Sequence, residues 1–152
     1  MRAGMSALIV EDNAQMQFLL SEILRELRVS RISAAATVGE AKERCQYGGF
    51  AFALVDVGLG EENGLDFVRH VRSNSAHPAH RMPVIVVSGQ GSRASIESAR
   101  DAGADWFMVK PIRTADLVAR LNRMFADPHP VAARRLPIDA ERDSAGDTHE
   151  ID

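Results

Sequence analysis

Phe50-Ala51-Phe52-Ala53-Leu54-Val55-Asp56 is apolar for six residues and then stops at a carboxylate. A strand with one wet face alternates apolar and polar side chains. A run that is apolar throughout predicts a strand covered on both faces, the pattern of a parallel sheet. Nothing inside the run calls for a charge, so Asp56 needs a reason of its own. In open parallel α/β sheets the ligand crevice lies outside the carboxyl ends of the strands. Asp56 is therefore a candidate site residue, with a solvated turn aspartate as the plain alternative.

Working outward, the chain alternates strand and helix. Upstream, Ala7-Leu8-Ile9-Val10 predicts a short buried strand ending in Glu11-Asp12. Met16, Leu19, Leu20, Ile23, Leu24 and Leu27 then fall at the three- and four-residue spacing of an amphipathic helix. Ile32-Ser33-Ala34-Ala35 predicts a weaker strand. Thr37-Val38-Gly39-Glu40 has the spacing of a capping box, opening a helix to about Tyr47 that Gly48-Gly49 stops. Downstream, residues 58–64 form a polar, glycine-rich loop, and Leu65, Val68 and Val71 mark a third helix. Ser73 to Met82 reads as a surface loop. Val84-Ile85-Val86-Val87 is another doubly buried strand, ending at Ser88-Gly89. A helix from Ser92 to Ala102 stops at Gly103. Phe107-Met108-Val109-Lys110-Pro111 is a fifth strand, and Leu117, Val118, Leu121, Met124 and Phe125 line a last helix over about Ala115 to Phe125. Five strands alternating with five helices specify a doubly wound α/β fold with a five-stranded parallel sheet.

The 152 residues suit a single domain with a sizeable core. A net charge of -3 argues against general attraction to nucleic acid or an anionic membrane. The apolar runs are too short to span a bilayer, and the N-terminus lacks the shape of a signal peptide. Cys45 is the sole cysteine, so no intrachain disulfide forms, and a reducing cytoplasm is the expected compartment. Its plain reading is a small buried apolar residue. From Asp127 the character changes. Prolines at 128, 130 and 137 and seven acidic residues against three arginines give a local charge of -4, leaving +1 for residues 1–126. Residues 6–126 are thus expected to fold, and 127–152 to be a disordered tail or the start of a linker that adds nothing to the fold.

The topology brings the chemistry to one sheet edge: Glu11 and Asp12 after the first strand, Asp56 at the end of the third, Ser88 after the fourth and Lys110 at the fifth. Three carboxylates repel one another, and their charges hold each other's pKa values up. A hard divalent cation removes that conflict, and Mg2+ (or Mn2+) needs only a few carboxylates plus water. A hydroxyl and an ammonium opposite them suit a transferring phosphoryl group. Lysine usage points the same way. The chain has sixteen arginines and two lysines, Lys42 and Lys110. A compact ammonium approaches an aspartate as a point charge, whereas a guanidinium is wider and forked.

These pieces, with Asn63-Gly64, Ser88-Gly89, Gly103-Ala104-Asp105 and Phe107 through Pro111, make the sequence resemble the receiver domain of two-component response regulators, the CheY-like superfamily. The likeness covers residues 6 to about 126. It implies a flavodoxin-like sheet of order 2-1-3-4-5, the order for which a chemotaxis member of this family is the standard example. It also implies that Asp56 accepts a phosphoryl group from phosphohistidine on a sensor histidine kinase or phosphotransfer protein. Asp12 and Asp56, Glu11 through water, and the Gly58 carbonyl would hold Mg2+. Ser88 and Lys110 would contact phosphoryl oxygens, and Pro111 would follow a cis peptide. Phe107 would be the switch aromatic, coupling Ser88 to the face made by the fourth helix, the fifth strand and the fifth helix. On that face Trp106 would contact a downstream protein partner or a second copy in a phosphorylation-dependent homodimer, its plain alternative being a ring over the sheet edge. Arg93, Arg100 and Arg120 are the polar contacts expected there. The protein would assist its own phosphorylation and dephosphorylation without being a turnover enzyme. Three departures stand out: Leu59-Gly60 makes a more flexible loop beside the site, Trp106 stands where the family often has a small or polar residue, and Phe107 lacks the hydroxyl of the commoner tyrosine.

A stand-alone receiver is the favoured organisation, with a receiver excised from a larger kinase or regulator as its competitor. A phosphatase of the haloacid dehalogenase type needs a second aspartate two places after the first, where this chain has Gly58. A receiver-like binding module that is never phosphorylated is a further alternative. His77 and His80 make a weak metal pair. Arg69, Arg72 and Arg81 read as a solvated face.

Overall fold

Alternating periodicity becomes alternating structure. A computed structural model describes residues 4–126 and 148–150. In chain order these form β1 (Ser6–Val10), α1 (Ala14–Glu26), β2 (Arg31–Ala35), α2 (Val38–Arg44) and β3 (Phe52–Asp56). There follow β4 (Gly58–Leu59), β5 (Glu62–Asn63), α3 (Leu65–Arg72), β6 (Val84–Ser88), α4 (Arg93–Ala102), β7 (Trp106–Val109), α5 (Thr114–Ala126) and β8 (Thr148–Glu150). The five principal strands lie in the order β2-β1-β3-β6-β7, all parallel, which is the expected doubly wound sheet.

Successive side chains on a strand point to opposite faces, and the core divides accordingly. Leu8, Val10, Ala53, Val55, Val84, Val86 and Phe107 pack under α2, α3 and α4. Ala7, Ile9, Phe52, Leu54, Ile85, Trp106 and Met108 pack under α1 and α5. With both faces covered, β3 and β6 are buried along their whole length.

The helix ends follow local chemistry. Asn13 accepts from the Met16 amide at 2.9 Å and Ser92 from the Ser95 amide at 3.1 Å, satisfying donors that a helix start leaves open. The capping box at Thr37 closes through Glu40 N–H at 3.1 Å, and the Glu40 carboxylate returns to the Ala36 amide at 2.8 Å. Gly103 ends α4 at φ +109, with the Ala104 amide reaching back to the Ala99 carbonyl at 3.0 Å. Helix α2 stops at Arg44 rather than near Tyr47. Tyr47 is 89% exposed, so a further turn would bury nothing.

Several expectations need correction. Arg72 is no part of a solvated face: its guanidinium lies inside, bonded to three carbonyls and to Asp105. Trp106 offers no surface to a partner. It is 1% exposed, packed with Leu117 and Leu121, and the Arg120 guanidinium sits 4.4 Å from its ring centroid. Arg120 is therefore buried as well. Each of the two loop histidines has a local backbone partner. His77 Nδ1 accepts from the Ala79 amide, and His80 Nδ1 bonds the Val71 carbonyl. The tail expectation lies mostly outside the described residues, but Thr148–Glu150 depart from it by forming β8, antiparallel to the outer edge of β7. Cys45 is buried, and burial pushes its thiol up to about 11, which leaves it inert as a nucleophile.

Candidate functional site

The carboxyl ends of β3, β6 and β7 converge on one cleft of about 490 Å³, with Asp56, Gly58, Asn63, Ser88, Gln90 and Lys110 in its wall. Asp56 is the last residue of β3 and is 5% exposed. Its Oδ2 accepts from Lys110 Nζ at 2.8 Å, and its Oδ1 accepts from the Gly58 amide at 3.2 Å. Lys110 Nζ also lies 3.5 Å from Glu11 Oε1. Lys110 is placed by its own amide, which donates to the Ser88 carbonyl at 2.8 Å, and the peptide to Pro111 is cis. Glu11 is buried, with Oε2 accepting from the Asn13 amide at 3.1 Å, while Asp12 stands exposed at the rim. Oxygens of Glu11, Asp12 and Asp56 all lie within 4.8 Å of one another.

This packing has an electrostatic cost. Burial, followed by the charge of Asp56, pushes the Glu11 carboxyl up to about 7, against the opposing pull of the Asn13 amide and the Lys110 ammonium. Burial disfavours the Lys110 ammonium, yet its hydrogen bond to Asp56 and the charges of Asp56 and Glu11 outweigh that and raise its pKa. The cluster holds three carboxylates against one ammonium. A buried carboxyl strained toward neutrality beside two further oxygen donors fits a hard dication, which would relieve that strain.

Gly64 explains how Asp56 is held. A Cβ on Gly64 would meet the Asp56 carbonyl at 2.0 Å, so any side chain there would push the loop off the end of β3. The Gly64 amide instead donates to the Val57 carbonyl at 2.8 Å. The loop expected to be flexible is a small hairpin, β4 against β5. Leu59 is buried in the core, the Val38 amide donates to Glu62 at 3.0 Å, and Asn63 accepts from the Leu65 amide at 2.8 Å. Sequence reading passed over Glu62, because a loop glutamate that caps a helix elsewhere in the chain leaves no local pattern.

Ser88 is 6% exposed, and its Oγ accepts from the Gln90 amide at 3.0 Å. Gln90 was also missed, although it stands two places past the end of β6 and the strand-end rule reaches it. Ser95 and Ser98 of α4 complete the cleft wall. Phe107 is fully buried, opposite Val86 in the register and pointing into the layer beneath α4. Trp106 lies on the other face of the sheet and does not join the site.

The family model of the response regulator receiver domain matches residues 7–122, and the chain belongs to that family. It is similar to the chemotaxis protein CheY-3 of Vibrio cholerae, 26% identical over 122 residues that cover 80% of this chain and 92% of that one. The chemotaxis protein CheY of Pseudomonas aeruginosa is 27% identical over 121 residues, covering 80% and 96%. Among solved structures, the receiver domain of a sensor histidine kinase from Pseudomonas aeruginosa is 26% identical with a TM-score of 0.72, covering 82% of this chain and all of that one. That crystal structure has a magnesium ion coordinated in the active-site cleft. No helix among the described residues is long and apolar enough to cross a membrane.

Proposed function

We propose that this chain is a phosphoacceptor of a two-component system, taking a phosphoryl group from phosphohistidine of a sensor histidine kinase or phosphotransfer protein onto Asp56. The observation that carries the reading is the contact of Lys110 Nζ with Asp56 Oδ2 at 2.8 Å, in a cleft that Ser88 also lines and beside the carboxylates of Glu11 and Asp12. An Asp56 oxygen attacks phosphorus and the phosphorus–nitrogen bond breaks. The bonding pair returns to the imidazole, and an acyl phosphate remains. Lys110 orients Asp56 through their contact and then balances charge on the phosphoryl oxygens, while the Ser88 hydroxyl donates to one of them. Glu11, Asp12 and Asp56, with the Gly58 carbonyl, would hold Mg2+, which when bound neutralises the excess of negative charge at the site. The burial of Glu11, Asp56 and Ser88 supports this division of labour, since hydrogen bonds and charges act more strongly away from water.

Phosphorylation then biases two arrangements of α4, β7 and α5, with Ser88 drawn toward the phosphoryl group and Phe107 following. A downstream protein, or a second copy of the chain, reads that face. Because Trp106 is internal, the exposed Arg93 and the half-exposed Arg100 of α4 are its available polar contacts.

Intact-mass measurement after incubation with a small phosphodonor and Mg2+ tests the acceptor. The wild type gains one phosphoryl group and Asp56→Asn gains none. Equal labelling of the two proteins would end the reading, and labelling that survives chelation would end its metal part.

A further inference from the structure

The outer edge of β7 has an occupant that the five-stranded core does not need. An edge strand left bare is a template for any extended chain. Here Thr148–Glu150 lie along that edge antiparallel to β7, with Thr148 opposite Met108, His149 opposite Phe107 and Glu150 opposite Trp106. The parallel sheet is complete without them, and the family likeness ends at residue 122.

Two features set this strand apart from the others. Of the five core strands, β1, β3, β6 and β7 are carried by apolar runs that bury themselves between helix layers, whereas Asp147-Thr148-His149-Glu150 has no apolar run to bury. What places it is the main chain of β7, the mode of recognition in which an extended peptide adds a strand to a sheet edge. Residues 127–147 separate it from α5, a connection able to reach about 70 Å when extended. A connection of that length tethers the segment to its site at an effective concentration on the order of millimolar.

We infer that the outer edge of β7 is a strand-addition docking site whose occupant is the chain's own Thr148–Glu150, held there reversibly by main-chain pairing rather than built into the fold. The register centres on Phe107, so the occupied edge belongs to the strand that carries the proposed switch. That consequence rests on the phosphoacceptor reading, but the docking does not. Three residues of main-chain pairing hold a tethered strand without making it part of the core.

Hydrogen exchange on the unphosphorylated full chain tests the inference. His149→Pro removes an amide from the middle of β8 and resists ladder pairing. The amides of β7 that face away from β6 should then exchange on the order of tenfold faster, with β1 and β3 unchanged. A synthetic peptide of residues 144–152, added to the variant at millimolar concentration, should restore their protection. A stop after Gly146 should reproduce both results. Unchanged exchange at β7 would overturn the inference, as would faster exchange that the peptide does not reverse. Exchange that rises across every strand in both variants would make β8 an integral part of the fold and overturn it too. No phosphodonor enters these measurements, so their failure leaves the Asp56 reading standing, and failure of Asp56 labelling leaves the docking result standing.

Discussion

Arg72 and Lys110 are both cations set into the ends of the same sheet, one at each end, and they face different numbers of carboxylates. At the amino end Arg72 donates to the carbonyls of Gly103, His80 and Met82 at 2.9, 2.6 and 2.7 Å and to Asp105 Oδ2 at 3.0 Å. Asp105 Oδ2 also accepts from the Val84 amide at 2.9 Å. One cation meets one anion, and neutral acceptors fill the rest of the fork. At the carboxyl end one ammonium lies 2.8 Å from Asp56 and 3.5 Å from Glu11, with Asp12 in the same cluster. The first arrangement spends its hydrogen-bonding capacity on joining α3, α4, β6 and β7. The second keeps an excess of negative charge, and with it the capacity to take a cation and an electrophile.

The largest expected effect tests the saturated end. Arg72→Met leaves the part-buried Asp105 without its cation and three carbonyls without their donor, which should cost about 3 kcal/mol. Urea unfolding measures it. A loss below about 1 kcal/mol would mean that water replaces the guanidinium readily, and the contrast between the two ends would collapse. Phosphodonor labelling of the folded fraction should persist, because the defect lies at the opposite end of the strands.

The two ends were also unequally legible in the sequence. Asp56, Glu11, Asp12, Ser88 and Lys110 each stand where a strand ends, so strand reading plus one rule about sheet edges brings them together. Arg72 hid because its partners are carbonyls, which every residue carries, and because Asp105 lies 33 positions away. Placed beside Arg69 near the end of an amphipathic helix, it had the local pattern of a solvated residue. Trp106 hid for a related reason: strand alternation fixes which face a side chain takes but not how closely a helix covers it. Thr148–Glu150 had no periodic signal at all, since a strand held by another strand's main chain needs none.

The next effect tests the acidic end. Folding raises the Glu11 pKa from 4.5 to about 7. For a group raised on folding, the stability contribution is full below the unfolded value and is lost as pH climbs through the folded one. Metal-free protein should therefore lose on the order of 3 kcal/mol from this group between pH 4.5 and pH 8. Glu11→Gln should flatten that part of the profile. Mg2+ at a hundredfold excess over its Kd should return about 2.7 kcal/mol to the wild type at pH 8 and less to the variant. Thermal unfolding across pH, with and without Mg2+, reads all three. A Glu11→Gln profile parallel to the wild type would show that the carboxylates are not in conflict.

The smallest effect returns to α3, where the same residue type occurs twice within one helical turn. Arg69 Nη1 lies 2.9 Å from Asp66 Oδ1, about as short as the contact of Arg72 with Asp105, but the two side chains are 52% and 59% exposed. Water already solvates both charges, so the pair gains little Coulomb energy and loses rotamer entropy in holding one geometry. A cation in the last turn of a helix adds a few tenths of a kcal/mol, and the better helix propensity of alanine returns a similar amount. Arg69→Ala should thus change stability by less than about 0.5 kcal/mol, against several for Arg72→Met under the same urea titration. Similar losses for the two would mean that contact distance governs these ion pairs. A wide gap would assign the difference to burial and to the partners each guanidinium satisfies.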